Sequence, residues 1–146
     1  MKVSFNKMFN STEYAVIFSA FLIFTLFSCA RKVTFLTSSI VPAARGFVKV
    51  KKDNNKNYLI QVDLENLAEV NRLQPSKNAY VVWLETDEHV AKNIGQIKSS
   101  GSLLSSKLKA SFETVSSSKP SKIYITAEDN AESQYPGTLV ISTDNF

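Results

Sequence analysis

Gly46-Phe47-Val48-Lys49-Val50-Lys51-Lys52, then Asp53-Asn54-Asn55-Lys56-Asn57, then Tyr58-Leu59-Ile60-Gln61-Val62-Asp63-Leu64-Glu65 decide the fold of this chain. In the first stretch Val48 and Val50 alternate with Lys49 and Lys51. In the third, Tyr58, Ile60, Val62 and Leu64 share one side, and Gln61, Asp63 and Glu65 face the other. A period of two puts alternate side chains on opposite faces of a strand. The middle stretch is made of residues that tolerate left-handed backbone angles. The three together predict a β-hairpin.

Working toward the C-terminus, residues 68–78 are polar and contain Pro75, which suits a crossing between sheets. Tyr80-Val81-Val82-Trp83-Leu84 has no polar interruption and predicts a central strand buried on both faces. Residues 93–98, 103–112, 122–128 and 138–143 supply further strands. Between them fall turn-rich segments at 99–102, 116–120 and 129–137. Toward the N-terminus, Val33-Thr34-Phe35-Leu36 is apolar enough to pair as an edge strand before Pro42 interrupts the path. About seven short strands spaced by turns predict an all-β fold, an antiparallel immunoglobulin-like β-sandwich. No segment after Cys29 sustains a helical period, although residues 103–108 leave room for a short helical turn.

Residues 14–28 carry no charge and are mostly Phe, Leu, Ile, Val and Ala, after a start charged by Lys2, Lys7 and Glu13. A basic start, a short apolar stretch and a small residue before a cut describe a secretory signal peptide. Cys29, the single cysteine, directly follows in Leu26-Phe27-Ser28-Cys29. This looks like the lipobox of bacterial lipoproteins, in which a thiol takes a diacylglyceryl group as a thioether. The expected organisation is a lipoprotein signal-peptide helix over 1–28 cut between Ser28 and Cys29. A lipidated N-terminus with a tether and edge strand over 29–45 follows, then the sandwich over 46–146. Two plainer readings compete: an ordinary signal, and an uncleaved anchor, for which residues 14–30 lie at the short limit of the ~17–25 residues a spanning helix needs. Arg31 and Lys32 would approach anionic headgroups beside the acyl chains, or belong to a solvated spacer.

The second half carries an ordered set of signals: Tyr80-Val81-Val82-Trp83-Leu84, then Asn93-Ile94-Gly95-Gln96 and Gly101. Ile123-Tyr124-Ile125-Thr126-Ala127-Glu128 and Tyr135-Pro136-Gly137-Thr138-Leu139-Val140 come later. Their order resembles the extracytoplasmic C-terminal domain of the anti-sigma-K factor family, over residues 80–143. The resemblance implies the fold. It does not carry sigma-factor binding, which in that family belongs to a separate cytoplasmic region, and the residues before Cys29 are too few to hold one.

Seventeen Lys and Arg against thirteen Asp and Glu give a net charge of +4, too small an excess to argue for nucleic acid. With Cys29 lipidated, no thiol is left for a disulfide, a metal site or redox chemistry. His89 is the single histidine, so any Ser-His-Asp arrangement depends on it. It closes the most chemically loaded loop, in which Glu85, Asp87 and His89 could offer two carboxylates and an imidazole to a metal. The loop lacks the oxygen ladder and glycine of a calcium site and fits a solvated hairpin loop. Glu128, Asp129 and Glu132 form a second acidic cluster, also read as solvated. Lys49, Lys51, Lys52, Lys107 and Lys109 could make a basic face for peptidoglycan, lipopolysaccharide or anionic lipid, or guard an edge against aggregation. Trp83 and Tyr80 fit core packing better than a binding groove, Val81 sharing Trp83's face. The expectation is a non-enzymatic envelope lipoprotein without cofactor. It would be held to the membrane, the outer one facing the periplasm, by acyl chains on Cys29, and would bind an unknown envelope protein or ligand. A small-molecule or glycan-binding module is the alternative, and a hydrolase the remoter one.

Overall fold

Alternation in the sequence becomes pairing in the computed structural model, which describes residues 30–98, 100–101 and 108–146. Among these residues nine strands form: β1 Arg31–Thr34, β2 Arg45–Lys52, β3 Tyr58–Glu65, β4 Ala79–Glu85, β5 Ala91–Ile97, β6 Ser100–Gly101, β7 Leu108–Ser116, β8 Lys122–Glu128 and β9 Thr138–Ser142. One 3-10 turn, Val70–Arg72, lies between β3 and β4. The strands make two antiparallel sheets, β1-β2-β3-β7-β6 and β5-β4-β8-β9. With β1 set aside, these orders are A-B-E-D and C′-C-F-G, the immunoglobulin-like arrangement. The count exceeds seven partly because Ser100–Gly101, read as turn, pairs with β7. The predicted signal-peptide helix lies outside the described residues.

The hairpin forms as the pattern requires. Val48 pairs with Val62 and Val50 with Ile60, and these four, with Leu64, are buried. Each fully buried Val, Leu or Ile contributes about 1.5–3 kcal/mol relative to exposure. Asp53 shapes the turn: its Oδ1 accepts from the backbone N–H of Asn55 and of Asn57, both at 2.8 Å. In the second sheet β4 lies between β5 and β8 and is buried from Ala79 to Leu84. Tyr80, Val82 and Leu84 join the core between the sheets, with Ile123, Ile125 and Ala127 of β8. The Tyr80 hydroxyl donates to the Ala68 carbonyl at 3.0 Å, and burial pushes its pKa up to about 12.

The edge strand expected within residues 29–45 forms, beginning at Arg31. β1 pairs along β2 from Arg31↔Val50 to Thr34↔Phe47. The chain then crosses to the other sheet, Phe35 bridging to Thr143 and the Leu36 N–H donating to the Ser142 carbonyl at 2.8 Å. Ser38, Val41 and Ala44 are buried behind it. This closes one side of the sandwich. The other side closes where Phe112 of β7 lies on Gly95 of β5. A Cβ at Gly95 would sit 2.7 Å from that ring, and its φ of +137° disfavours any side chain. Gly95 belongs to a bulge, because Val82 pairs with Gly95 and Trp83 with Asn93, leaving Ile94 over.

Antiparallel pairing sorts the connections to two ends. Arg31, the β2–β3 and β4–β5 turns, residues 117–121 and Phe146 gather at one. The Arg31 guanidinium lies 5.4 Å from the Phe146 ring, the Phe146 N–H donates to the Ser121 carbonyl, and the Ser121 N–H to that of Glu85. Residues 66–78 and 129–137 lie at the other end.

Candidate functional site

Cys29 and Ser28 lie outside the described residues. No helix among the described residues is long and apolar enough to cross a membrane.

The loop after β4 is built like the turn after β2. The Thr86 N–H donates to the Val90 carbonyl and the His89 N–H to that of Thr86. In the β2–β3 turn the Asp53 N–H donates to the Asn57 carbonyl and the Lys56 N–H to that of Asp53. His89 and Lys56 hold the same left-handed place, with φ of 58° and 65°. A turn followed by one left-handed residue is a common short hairpin loop, so His89 has a conformational reason to be where it is. Its ring is largely exposed, with Nδ1 2.9 Å from Glu85 Oε1. Asp87 is drawn elsewhere, to Lys119 Nζ at 3.1 Å. Of the three residues weighed as ligands, Glu85 and His89 therefore meet and Asp87 does not join them. Among the described residues no group of three His, Cys, Asp or Glu is placed to hold a metal ion.

Trp83 is buried, but not between the sheets. It lies with Val81 and Tyr124 in a second, smaller core on the outer face of β4 and β8. Its ring stacks on that of Tyr124 at 6.4 Å between centroids. Tyr124 is itself mostly buried, and its pKa is raised by that burial and by the nearby Glu85 charge. The Trp83 indole N–H donates to Thr126 Oγ1 at 2.7 Å, and that hydroxyl donates to Glu128 Oε1 at 2.5 Å. Glu128 Oε1 also accepts from the Gly137 N–H at 2.6 Å. Asn93 Nδ2 donates to the carbonyls of Ala131 and Ser133. The loop over 129–137 is thus pinned at both flanks.

Glu128 corrects the acidic cluster of the sequence reading: it is 6 % exposed, while Asp129 and Glu132 are on the surface. The signal that could have found it is the alternation Tyr124, Thr126, Glu128, which puts the carboxylate on the aromatic face. Beside this network Tyr124, Thr126, Pro136, Gly137 and Leu139 line a shallow groove of about 260 Å³.

The lysines do not form one face. Lys49 lies on β2 between Lys32 of β1 and Gln61 of β3, so it guards no edge, while Lys51 lies just beyond the last β1–β2 pair, Arg31↔Val50. Lys32 of β1, on a true edge, and Lys49 sit over Phe47 at 4.0 and 5.2 Å. Lys109 pairs in register with Glu65 at the opposite end from Lys52. Lys107 lies outside the described residues.

No protein-family model, no curated protein and no solved structure matches this chain.

Proposed function

We propose that the chain is a non-enzymatic lipoprotein of the cell envelope, a lipid-anchored sandwich that binds a partner or senses its surroundings in the periplasm. The observation that carries this reading is the place of Cys29. It follows an apolar run and a small residue, and only Ala30 separates it from the first paired residue of the domain, Arg31. Acyl chains there would hold a ready-made β-domain against a bilayer. At about 0.8 kcal/mol per buried CH₂, two or three chains make release negligible.

Ala30 is not the aspartate that retains many lipoproteins in the inner membrane, which favours the outer membrane. The motif order that resembles the anti-sigma-K outer domain implies the fold and carries no sigma-factor binding. Exposure of His89 weighs against a hydrolase, which would want that ring buried beside an acid and a hydroxyl. The glycan-binding alternative wants an exposed aromatic groove. Trp83 is enclosed, and the groove beside it falls below the ~300–1,000 Å³ usual for ligand pockets.

Metabolic labelling with palmitate tests the anchor. The wild-type chain should take up label and partition into detergent, and Cys29→Ser should do neither, because a hydroxyl is not a substrate for the transfer. A Cys29→Ser chain that still labels would end the lipoprotein reading. Capture of partners with the acylated protein from its own envelope would then identify what it binds.

A further inference from the structure

We infer that the domain docks by the end bearing Arg31, Lys51, Lys52 and Lys56 onto acidic phospholipid headgroups of the bilayer that holds its anchor. Residues 129–137 then point away from the membrane. The inference rests on lipid attachment at Cys29 and adds to it a surface, a ligand chemistry and an orientation.

Three observations meet at that end. The first is covalent: the attachment point is two residues from Arg31, which pairs with Val50, next to Lys51 and Lys52. Neighbouring strands lie about 4.8 Å apart, so these cations surround the emerging acyl chains. The second is that all four are exposed and, among the described residues, none is in an ion pair. Arg31 and Lys52 instead lie over the rings of Phe146 and Tyr58, which leaves their charge available. At the opposite end Lys77 is paired with Asp129 and Arg72 with Glu69, and at this end Lys119 is paired with Asp87.

The third is the state of the acids at the same end. Asp53 turns its carboxylate inward to the N–H groups of its own turn. Glu85 and Asp87 are engaged by His89 and Lys119 on the side of the other sheet. Glu88 and Asp144 remain as surface acids, so the corner at β1 and β2 keeps a basic excess. A basic cluster held within a Debye length of an anionic leaflet is attracted to it. The seven residues of β8 separate this end from residues 129–137 by roughly 20 Å at 3.3 Å per residue.

The chain's single cysteine makes the test selective. With Cys29 blocked as a thioether, the wild-type lipidated protein should not react with a maleimide, and Asn55→Cys or Gln134→Cys should each carry one fluorophore. The labelled proteins are placed in phosphatidylcholine vesicles with 30 % phosphatidylglycerol and a headgroup-linked quencher. The Asn55 probe should be quenched several-fold more than the Gln134 probe. Replacing Lys51, Lys52 and Lys56 together with Glu, or omitting the phosphatidylglycerol, should abolish most of that difference. Equal quenching of the two probes, or a difference that survives charge reversal, would overturn the docking inference while leaving the anchor in place. A wild-type protein that reacts with maleimide would remove the anchor and this inference with it.

Discussion

The indole N–H of Trp83 and the hydroxyl of Thr126 meet at 2.7 Å across the outer face of the β5-β4-β8-β9 sheet. A threonine hydroxyl has a single proton, so accepting from the indole leaves that proton for Glu128. Glu128 in turn takes the Gly137 N–H, which ties the loop over 129–137 to the relay. In immunoglobulin-like sandwiches the tryptophan of this strand ordinarily packs between the sheets against a disulfide. Here Val82 holds the inward place, and a polar relay encloses the tryptophan on the far side.

Trp83→Ala should therefore cost about 3–5 kcal/mol, the range for a large enclosed ring. That is a large part of a typical total of about 5–15 kcal/mol. Trp83→Phe keeps most of the packing and loses one buried hydrogen bond, so about 1–2 kcal/mol is expected beyond the volume change. Urea unfolding of the two variants gives both numbers. A loss below about 1 kcal/mol for the alanine variant would place the ring at the surface and revive the binding groove.

Gly137 is needed because of Glu128. A Cβ at Gly137 would lie 2.5 Å from Glu128 Oε2, and the carboxylate cannot retreat without releasing Thr126 and the Gly137 N–H. Gly137→Ala should cost about 1–3 kcal/mol. In a Glu128→Ala background the same change meets no carboxylate and should cost far less. A coupling energy near zero in that cycle would show that the two residues act independently.

The sequence made the β2–β3 hairpin and β4 legible for different reasons. In the hairpin, Val48, Val50, Ile60, Val62 and Leu64 alternate with polar residues, so the buried face was readable one residue at a time. In Tyr80-Val81-Val82-Trp83-Leu84 every residue is apolar, and alternation cannot say which set meets the other sheet. What meets Trp83 on that face is Tyr124 and a polar relay through Thr126 to Glu128, contacts made across 43 residues or by a carboxylate two positions from its hydroxyl partner. Composition alone gave Glu128 to solvent. β1 lies two residues earlier than the sequence predicts because Arg31 and Lys32 look like spacer until Val50 and Lys49 stand opposite them.

Tyr80 should make stability fall at high pH. In the unfolded chain its hydroxyl ionises near the ordinary value of about 10, whereas burial holds the folded group neutral up to about 12. A folded pKa above the unfolded one gives a contribution fully present below pH 10 and lost as pH rises from 10 through 12. The loss approaches about 2–3 kcal/mol at 1.36 kcal/mol per unit. Tyr80→Phe gives up about 1 kcal/mol at neutral pH with the bond to Ala68. It should flatten the alkaline decline relative to wild type. Parallel curves for the two proteins between pH 9 and 12 would contradict this role.

Lys56 and His89 make the last test, since both occupy left-handed positions at the close of short hairpin loops. That conformation costs a residue with a Cβ about 1–2 kcal/mol relative to its right-handed state, and glycine escapes most of it. Lys56→Gly and His89→Gly should thus be neutral or stabilising by up to about 1 kcal/mol. If His89 instead served a metal with Glu85 and Asp87, its replacement would abolish a metal-dependent rise in melting temperature. A cation at about 100 times its dissociation constant would add about 2.7 kcal/mol, a shift of several degrees in a domain of this size. No such rise is expected with calcium, zinc, manganese or magnesium, because Asp87 is turned to Lys119 and Glu85 to His89. A saturable rise lost in His89→Gly would make the ring a ligand; stabilisation without any metal effect makes it the residue that lets the turn close.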